Sequence, residues 1–351
     1  MLRIHFGPED LARLRVAAGP DPLWEIAHSL HRLQSRTGRR AYAHWFHDAR
    51  PALAGTPLGT VVKKLLMPVL PRAVYFPDFL TPHAGAGGLD EGLSAILDTP
   101  PARVRDETET LRRVVGAPAW VTRLAEPKSR REFTAVLRAY YEAVLAPYLD
   151  TIQARVDNER ALRTRAFLAD GVDGLLTGLA PGIRWRPPVL EVDYRDDRDL
   201  HLDGRGLRLL PSYFCWRTPT SLANPDLSPV LVYPLHHASA PTPQRPADDD
   251  APLATLLGRT RAAVLRTLAC GATTSELARI LGISPATATH HTTVLRDAGL
   301  VTSHRNANTM LHTLTPTGTA LLGSDRREQG YLRRVESRGP SSPAAETVTS
   351  C

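Results

Sequence analysis

The sequence predicts an α+β protein: a mainly helical N-terminal part with a small sheet, then a smaller C-terminal part of helices and a hairpin. Three observations carry that prediction. Apolar residues recur at helical spacing through much of the chain before Pro181, and short apolar runs separated by turn residues follow it. A proline-rich break then precedes a second set of helical patterns.

At 351 residues the chain is longer than one ordinary core requires, so two or more folded parts are expected. Its 42% hydrophobic and 23% charged content is that of a globular protein and excludes global disorder or a fibrous repeat. A membrane helix needs roughly 20 apolar residues. The best run, Val61 to Leu70, is interrupted by Lys63 and Lys64, so no membrane partner is expected. Met1 to Asp10 lacks the apolar stretch of a secretory signal, which makes the cytoplasm the expected location. Cys215, Cys270 and Cys351 lie far apart, so neither a disulfide framework nor a cysteine-ligated zinc site is expected.

Taken in order, Leu23, Ile26, Ala27, Leu30 and Leu33 form one apolar stripe on a helix starting near Pro22. Phe133, Val136, Leu137, Tyr140, Tyr141, Val144, Leu145 and Tyr148 hold the same spacing over about four turns, too long for a strand. After Pro181, the runs Val189 to Val192, Leu207 to Leu210 and Val230 to Tyr233 predict a small sheet, with a tight turn at Asp203-Gly204. These elements make residues 1–235 an N-terminal regulatory or dimerisation domain. Residues 236–252, with Pro241, Pro243, Pro246 and Pro252 around an acidic run, read as a linker, and residues 324–351 as a disordered tail.

Residues 253–323 carry the functional signal. The chain's net charge is +7, and this stretch alone holds six basic and two acidic side chains. Leu253, Leu257, Val264 and Leu268 mark a first helix from near Pro252 to Gly271. Thr273 and Glu276 have capping-box spacing and open a second, whose buried face is Leu277, Ile280 and Leu281 and whose end is Gly282. Ser284 caps a third, with Pro285 in its first turn, running to about Asp297; Ala288, His291, Leu295 and the aliphatic part of Thr292 face inward. The opposite face holds Thr287, Thr289, His290 and Thr293, small and polar, unlike the Glu/Lys/Arg face of a solvated helix. Such side chains let a helix approach base edges in a major groove. Gly299 ends it, and Leu300 to Arg305 and Met310 to Thr315 form a hairpin around Asn306-Ala307-Asn308. Two helices across a sharp turn followed by a hairpin describe a winged helix-turn-helix.

The runs Thr273-Thr274-Ser275-Glu276-Leu277-Ala278, Leu281-Gly282-Ile283-Ser284, His290-His291 and Val294 to Val301 resemble the ArsR-type winged-helix transcriptional regulators over about residues 253–322. The whole chain is similar to long actinobacterial regulators whose N-terminal domain is uncharacterised. The resemblance implies a DNA-binding regulator, expected to repress as a homodimer on double-stranded DNA. It places Ser284, Thr287, Thr289, His290 and Thr293 at or near the groove and Arg305, Asn306 and Asn308 beside DNA backbone or minor groove. The chain departs from the metal-sensing members. Thr273, Thr274 and Ser275 stand where those carry a cysteine pair, and the last helix has no acid/histidine set, so no metal or cofactor is expected. The helix after the hairpin, Thr317 to Leu322, is short, so dimerisation would draw on the first helix or the N-terminal domain.

The competing signal is His28 with His31, and His44 with His47 and Asp48, three residues apart, a spacing that can offer metal ligands from one helix face. Trp45 and Phe46 between the second pair favour ordinary packing. No nucleophile elbow, phosphate-binding glycine loop or HExxH run appears, so no enzyme activity is expected. The alternative reading makes the N-terminal domain a ligand- or metal-binding sensor, answering to an unknown small-molecule effector and controlling DNA binding.

Overall fold

A computed structural model describes residues 1–235, 251–306 and 309–322, apart from Arg36, Arg40, Val74, Ala269, Cys270, Pro316 and Thr319. The greater part of the expected linker and all of the expected tail lie outside the described residues. The chain is α+β and divides into two compact units, Met1–Ala240 and Pro241–Cys351. Among the described residues no helix is long and apolar enough to cross a membrane.

The first unit has two cores. The helical one gathers Leu23, Trp24, Trp45, Phe79, Phe133, Leu137 and Tyr140. Its helix Pro22–Leu33 starts where expected, because Asp21 accepts hydrogen bonds from the Leu23 and Trp24 amides (3.1 and 3.4 Å) and Pro22 occupies the first turn. The expected stripe is buried apart from the half-buried Leu33. The intervening positions are buried too, since Glu25, His28, Ser29, His31 and Arg32 are also covered. Each buried polar group must then find a partner. Glu25 accepts from the amides of Tyr213 (2.8 Å) and Phe214 (3.0 Å), Ser29 meets the Tyr140 hydroxyl (2.9 Å), and His28 meets the Ser212 hydroxyl (3.0 Å). Burial outweighs the two amide hydrogen bonds and raises the Glu25 carboxyl to about 7. The pattern from Phe133 to Tyr148 is helical throughout but not uniformly α: Pro127–Tyr140 is followed by a π turn, Tyr141–Leu145, and a 3-10 turn, Ala146–Tyr148, around Pro147.

The second core lies on strands. The three runs expected to form one sheet divide between two. Val189–Val192 pairs antiparallel with the N-terminal strand Leu2–His5 (Ile4 opposite Leu190), and Leu2–His5 pairs in parallel with Arg198–His201. Arg208–Ser212 and Val230–Pro234 pair in parallel within the other sheet. The burial patterns give the reason. Val189–Val192 alternates buried and half-buried, as a strand with one covered face does, whereas Val230–Pro234 is buried at every position and so needs cover on both faces. The Asp203-Gly204 turn is present, closed by the Arg205 amide donating to the Leu202 carbonyl (3.0 Å), but it joins strands of different sheets.

Removing the Glu25 carboxylate orphans two buried amides. Glu25→Ala is expected to lower the unfolding free energy of this unit by about 2–4 kcal/mol. All five tryptophans (Trp24, Trp45, Trp120, Trp185 and Trp216) belong to this unit, so their fluorescence during urea denaturation of the whole chain measures the loss.

Candidate nucleic-acid interface

The second unit packs Leu253, Ala262, Val264, Leu265, Leu268, Leu277, Ala288, Leu295 and Val301 into one core. The single first helix expected from Pro252 to Gly271 is two, Ala251–Leu257 and Arg259–Thr267. Gly258 separates them at φ 82°, a backbone conformation that side-chain-bearing residues rarely hold. Leu253 and Leu268 still reach the same core, so the apolar period survives the break.

The next two helices follow the sequence closely. In Thr274–Leu281 the capping box is complete: the Thr273 hydroxyl accepts from the Glu276 amide (3.3 Å) while the Glu276 carboxylate accepts from the Thr273 amide (2.9 Å). Gly282, at φ 65° and ψ 30°, ends the helix in the left-handed conformation, and the Ile283 amide returns to the Ala278 carbonyl (3.0 Å). Only this sharp reversal lets Ser284 begin another helix two residues later. Ser284 then accepts from the Thr287 amide (3.1 Å) at the head of Pro285–Asp297.

That helix has one buried line, Ala288, Thr292 and Leu295. Thr292 is accommodated inside because its hydroxyl donates to the Ala288 carbonyl (3.0 Å). His291 is half-buried, as expected, and burial, followed by the charges of His290 and Arg261, lowers its imidazole pKa. Of the expected contact residues, Ser284, Thr289 and His290 are exposed, whereas Thr287 and Thr293 are half-buried. Three hydroxyls are already engaged locally, Ser284 and Thr287 with each other (2.8 Å) and Thr289 as donor to the Pro285 carbonyl (2.9 Å). The Thr289 oxygen therefore presents its lone pairs outward.

The strands Val301–Asn306 and Thr309–Leu314 pair antiparallel, with Asn306 opposite Thr309, so a two-residue connection joins them. Arg305 is exposed. Asn306 closes its strand, its side chain lying outside what the structure describes, and Asn308 falls outside the described residues. Two features escaped the sequence reading. A short strand, Ala272–Thr273, pairs with His312 and Leu311 and makes a three-stranded sheet. His312, 5% exposed, stands at that junction, its Nε2 2.9 Å from the Thr274 hydroxyl and its Nδ1 2.8 Å from the Ser303 hydroxyl. It thus joins the head of one helix to both strands of the hairpin. A lone histidine in a polar-alternating strand carries no sequence mark of that role.

Among the described residues no group of three or more His, Cys, Asp or Glu is placed to hold a metal. Both ring nitrogens of His28 face hydroxyls, those of Ser212 (3.0 Å) and Thr220 (3.3 Å). The His44 side chain lies outside the described residues.

Comparison with known proteins agrees with this geometry. A family model described as a helix-turn-helix domain matches residues 256–304, from the end of helix Ala251–Leu257 into the first hairpin strand. No curated protein and no solved structure matches the chain. Residues 256–304 are a helix-turn-helix domain, the class of module that lays its second helix in a DNA groove, which suggests a DNA-binding regulator.

Two outcomes test this construction. Ser284→Ala removes a helix cap worth about 1 kcal/mol and is expected to speed amide exchange about fivefold at the start of Pro285–Asp297, measured by hydrogen exchange on the whole chain. Burial, then the charge of Arg296, lowers the His312 pKa, so the folded unit holds it neutral while the unfolded chain takes up a proton near pH 6.5. Its contribution is complete above about pH 6.5 and is lost as the pH falls below that. Protection of the hairpin amides is expected to drop between about pH 7 and pH 5 and to drop less in His312→Gln. A residual slope from His291 has the same sign.

Proposed function

We propose that the chain is a sequence-specific transcriptional regulator of the ArsR type, a repressor acting as a homodimer on double-stranded DNA. In this reading the second unit is a winged helix-turn-helix. The helix Pro285–Asp297 enters the major groove, and the hairpin is the wing that sets Arg305, Asn306 and Asn308 against backbone or minor groove. One observation carries it: the solvent face of that helix holds Ser284, Thr289 and His290, with no long charged side chain between them, while Ala288, Thr292 and Leu295 fix the opposite face in the core. The half-buried Thr287 and Thr293 complete the surface. A dimer would engage half-sites about 34 Å apart.

A second reading concerns the first unit, which would act as a ligand-binding sensor controlling the DNA-binding output. A cavity of about 320 Å³ with polar and charged walls inside that unit favours it.

A gel-shift titration over the DNA upstream of the protein's own gene, with scrambled duplex as competitor, tests the first reading. Preferential binding to the upstream DNA is expected, and equal affinity for both removes the sequence-specific claim. His290→Ala is expected to cost about 1–3 kcal/mol on the preferred site and little on scrambled DNA. Arg305→Gln is expected to weaken both alike and reduce the slope of log affinity against log salt by about 1.

A further inference from the structure

Two of the cavities in the Met1–Ala240 unit differ in the chemistry of their walls. The larger, about 770 Å³, is walled mainly by apolar side chains such as Phe46, Leu53, Val62 and Met67. Among the described residues, no buried polar atom in that wall lacks a hydrogen bond. The smaller, about 320 Å³, is large enough for a small molecule and is lined by four arginines, Arg32, Arg72, Arg195 and Arg198, against two carboxylates, Asp78 and Asp196.

Part of this charge is already engaged. Asp78 accepts from the amides of Ala223 (3.0 Å) and Asn224 (2.7 Å). Arg198 donates to the Leu222 carbonyl (2.9 Å) and stands 5.2 Å from the Tyr194 ring centre, although its own buried Nε has no partner. Arg32 is less engaged. It is 5% exposed, reaches the Thr37 hydroxyl through Nη1 (3.2 Å), and has a buried Nε without a partner. Arg72 and Arg195 are exposed, and none of these three guanidinium groups has an ion-pair partner among the described residues. Beside them His31, 8% exposed, buries an Nε2 that likewise has no partner. Burial, and then the charges of Arg32, Arg72 and Arg195, hold its imidazole down to about 3, so all three cations act on one ring.

A buried guanidinium without a counter-anion is costly, and neighbouring like charges add to that cost. Among the described residues neither Asp78 nor Asp196 forms an ion pair with these three cations, and the cavity has room for an added anion. We infer that this cavity binds a small organic oxyanion, a carboxylate or phosphate ester received by Arg32, Arg72 and Arg195, with its apolar body against Phe76 and Trp216. His31 engages Pro71 through its other side and leaves Nε2 as an acceptor for an O–H or N–H of the same ligand. This deepens the sensor reading of the first unit and is independent of the DNA-binding one, because its test contains no DNA.

The test titrates the full chain with benzoate, salicylate, phenyl phosphate and inorganic phosphate at constant ionic strength, reading Trp216-dependent fluorescence and melting temperature. At least one organic anion is expected to give a saturable response beyond that of sodium chloride, and inorganic phosphate alone a weaker one. Arg32→Met is expected to raise the half-saturating concentration about tenfold or more. It is also expected to raise the melting temperature of the ligand-free protein by about 2 °C or more, because it removes an unpaired buried charge. A residue that merely supports the fold would lower that temperature. The Arg72→Gln/Arg195→Gln double variant, at exposed positions, is expected to weaken binding about fivefold and decides the matter if Arg32→Met does not fold. No saturable response to any of the four anions overturns the inference. So does a half-saturating concentration unchanged in the double variant.

Discussion

A helix can offer small polar side chains to another molecule only if its opposite side is already fixed. In the second unit that constraint falls on Ala288, Thr292 and Leu295, the buried line of Pro285–Asp297. Small residues at two of the three positions let the helix lie close to its neighbours, and Leu295 supplies the apolar area that holds it there. The reversal at Gly282 and the caps at Thr273 and Ser284 then set the direction from which the helix emerges. His312 extends the same frame to the hairpin, tying the head of Thr274–Leu281 to both strands through two hydroxyls. The surface that would meet DNA is therefore placed mainly by interactions made behind it.

The first unit meets the opposite problem. Its central helix, Pro22–Leu33, is buried on all sides, so its polar residues need partners from elsewhere in the chain. Glu25 and His28 find them in Tyr213, Phe214 and Ser212, at separations of 184 to 189 residues, and Ser29 finds one in Tyr140, at a separation of 111. Arg32 and His31, on the last turn of the same helix, are the two whose buried nitrogens remain open. One helix thus carries both internal polar contacts of this unit and open nitrogens in the wall of its charged cavity.

Local chemistry was legible in the sequence where it acts over short range. The helix start near Pro22, the caps at Thr273 and Ser284, the stop at Gly282 and the hairpin all depend on neighbours within a few residues, and each falls where spacing placed it. The inward positions of Ala288, Thr292 and Leu295 followed from period alone. What the sequence concealed was pairing over distance. Nothing local tells Leu2–His5 that it belongs between Val189–Val192 and Arg198–His201, or divides Val189–Val192 and Val230–Pro234 between two sheets. The break at Gly258 leaves no mark in the sequence because the apolar period runs through it unchanged. The cavity arginines come from segments as far apart as residues 32 and 198, so no motif could announce them.

The three-stranded sheet of the second unit has an outcome beyond positioning. Ala272–Thr273 covers one margin of the hairpin, which leaves Val301–Asn306 as the opposite margin of the sheet. An uncovered margin with free amide and carbonyl groups invites another chain to add itself, and a charge along it discourages such stacking. Arg305 is the charged residue on that strand, so the same guanidinium that would steady a nucleic acid also guards against self-association. Neutralising it to weaken DNA contact would at the same time remove a charge that discourages such edge pairing.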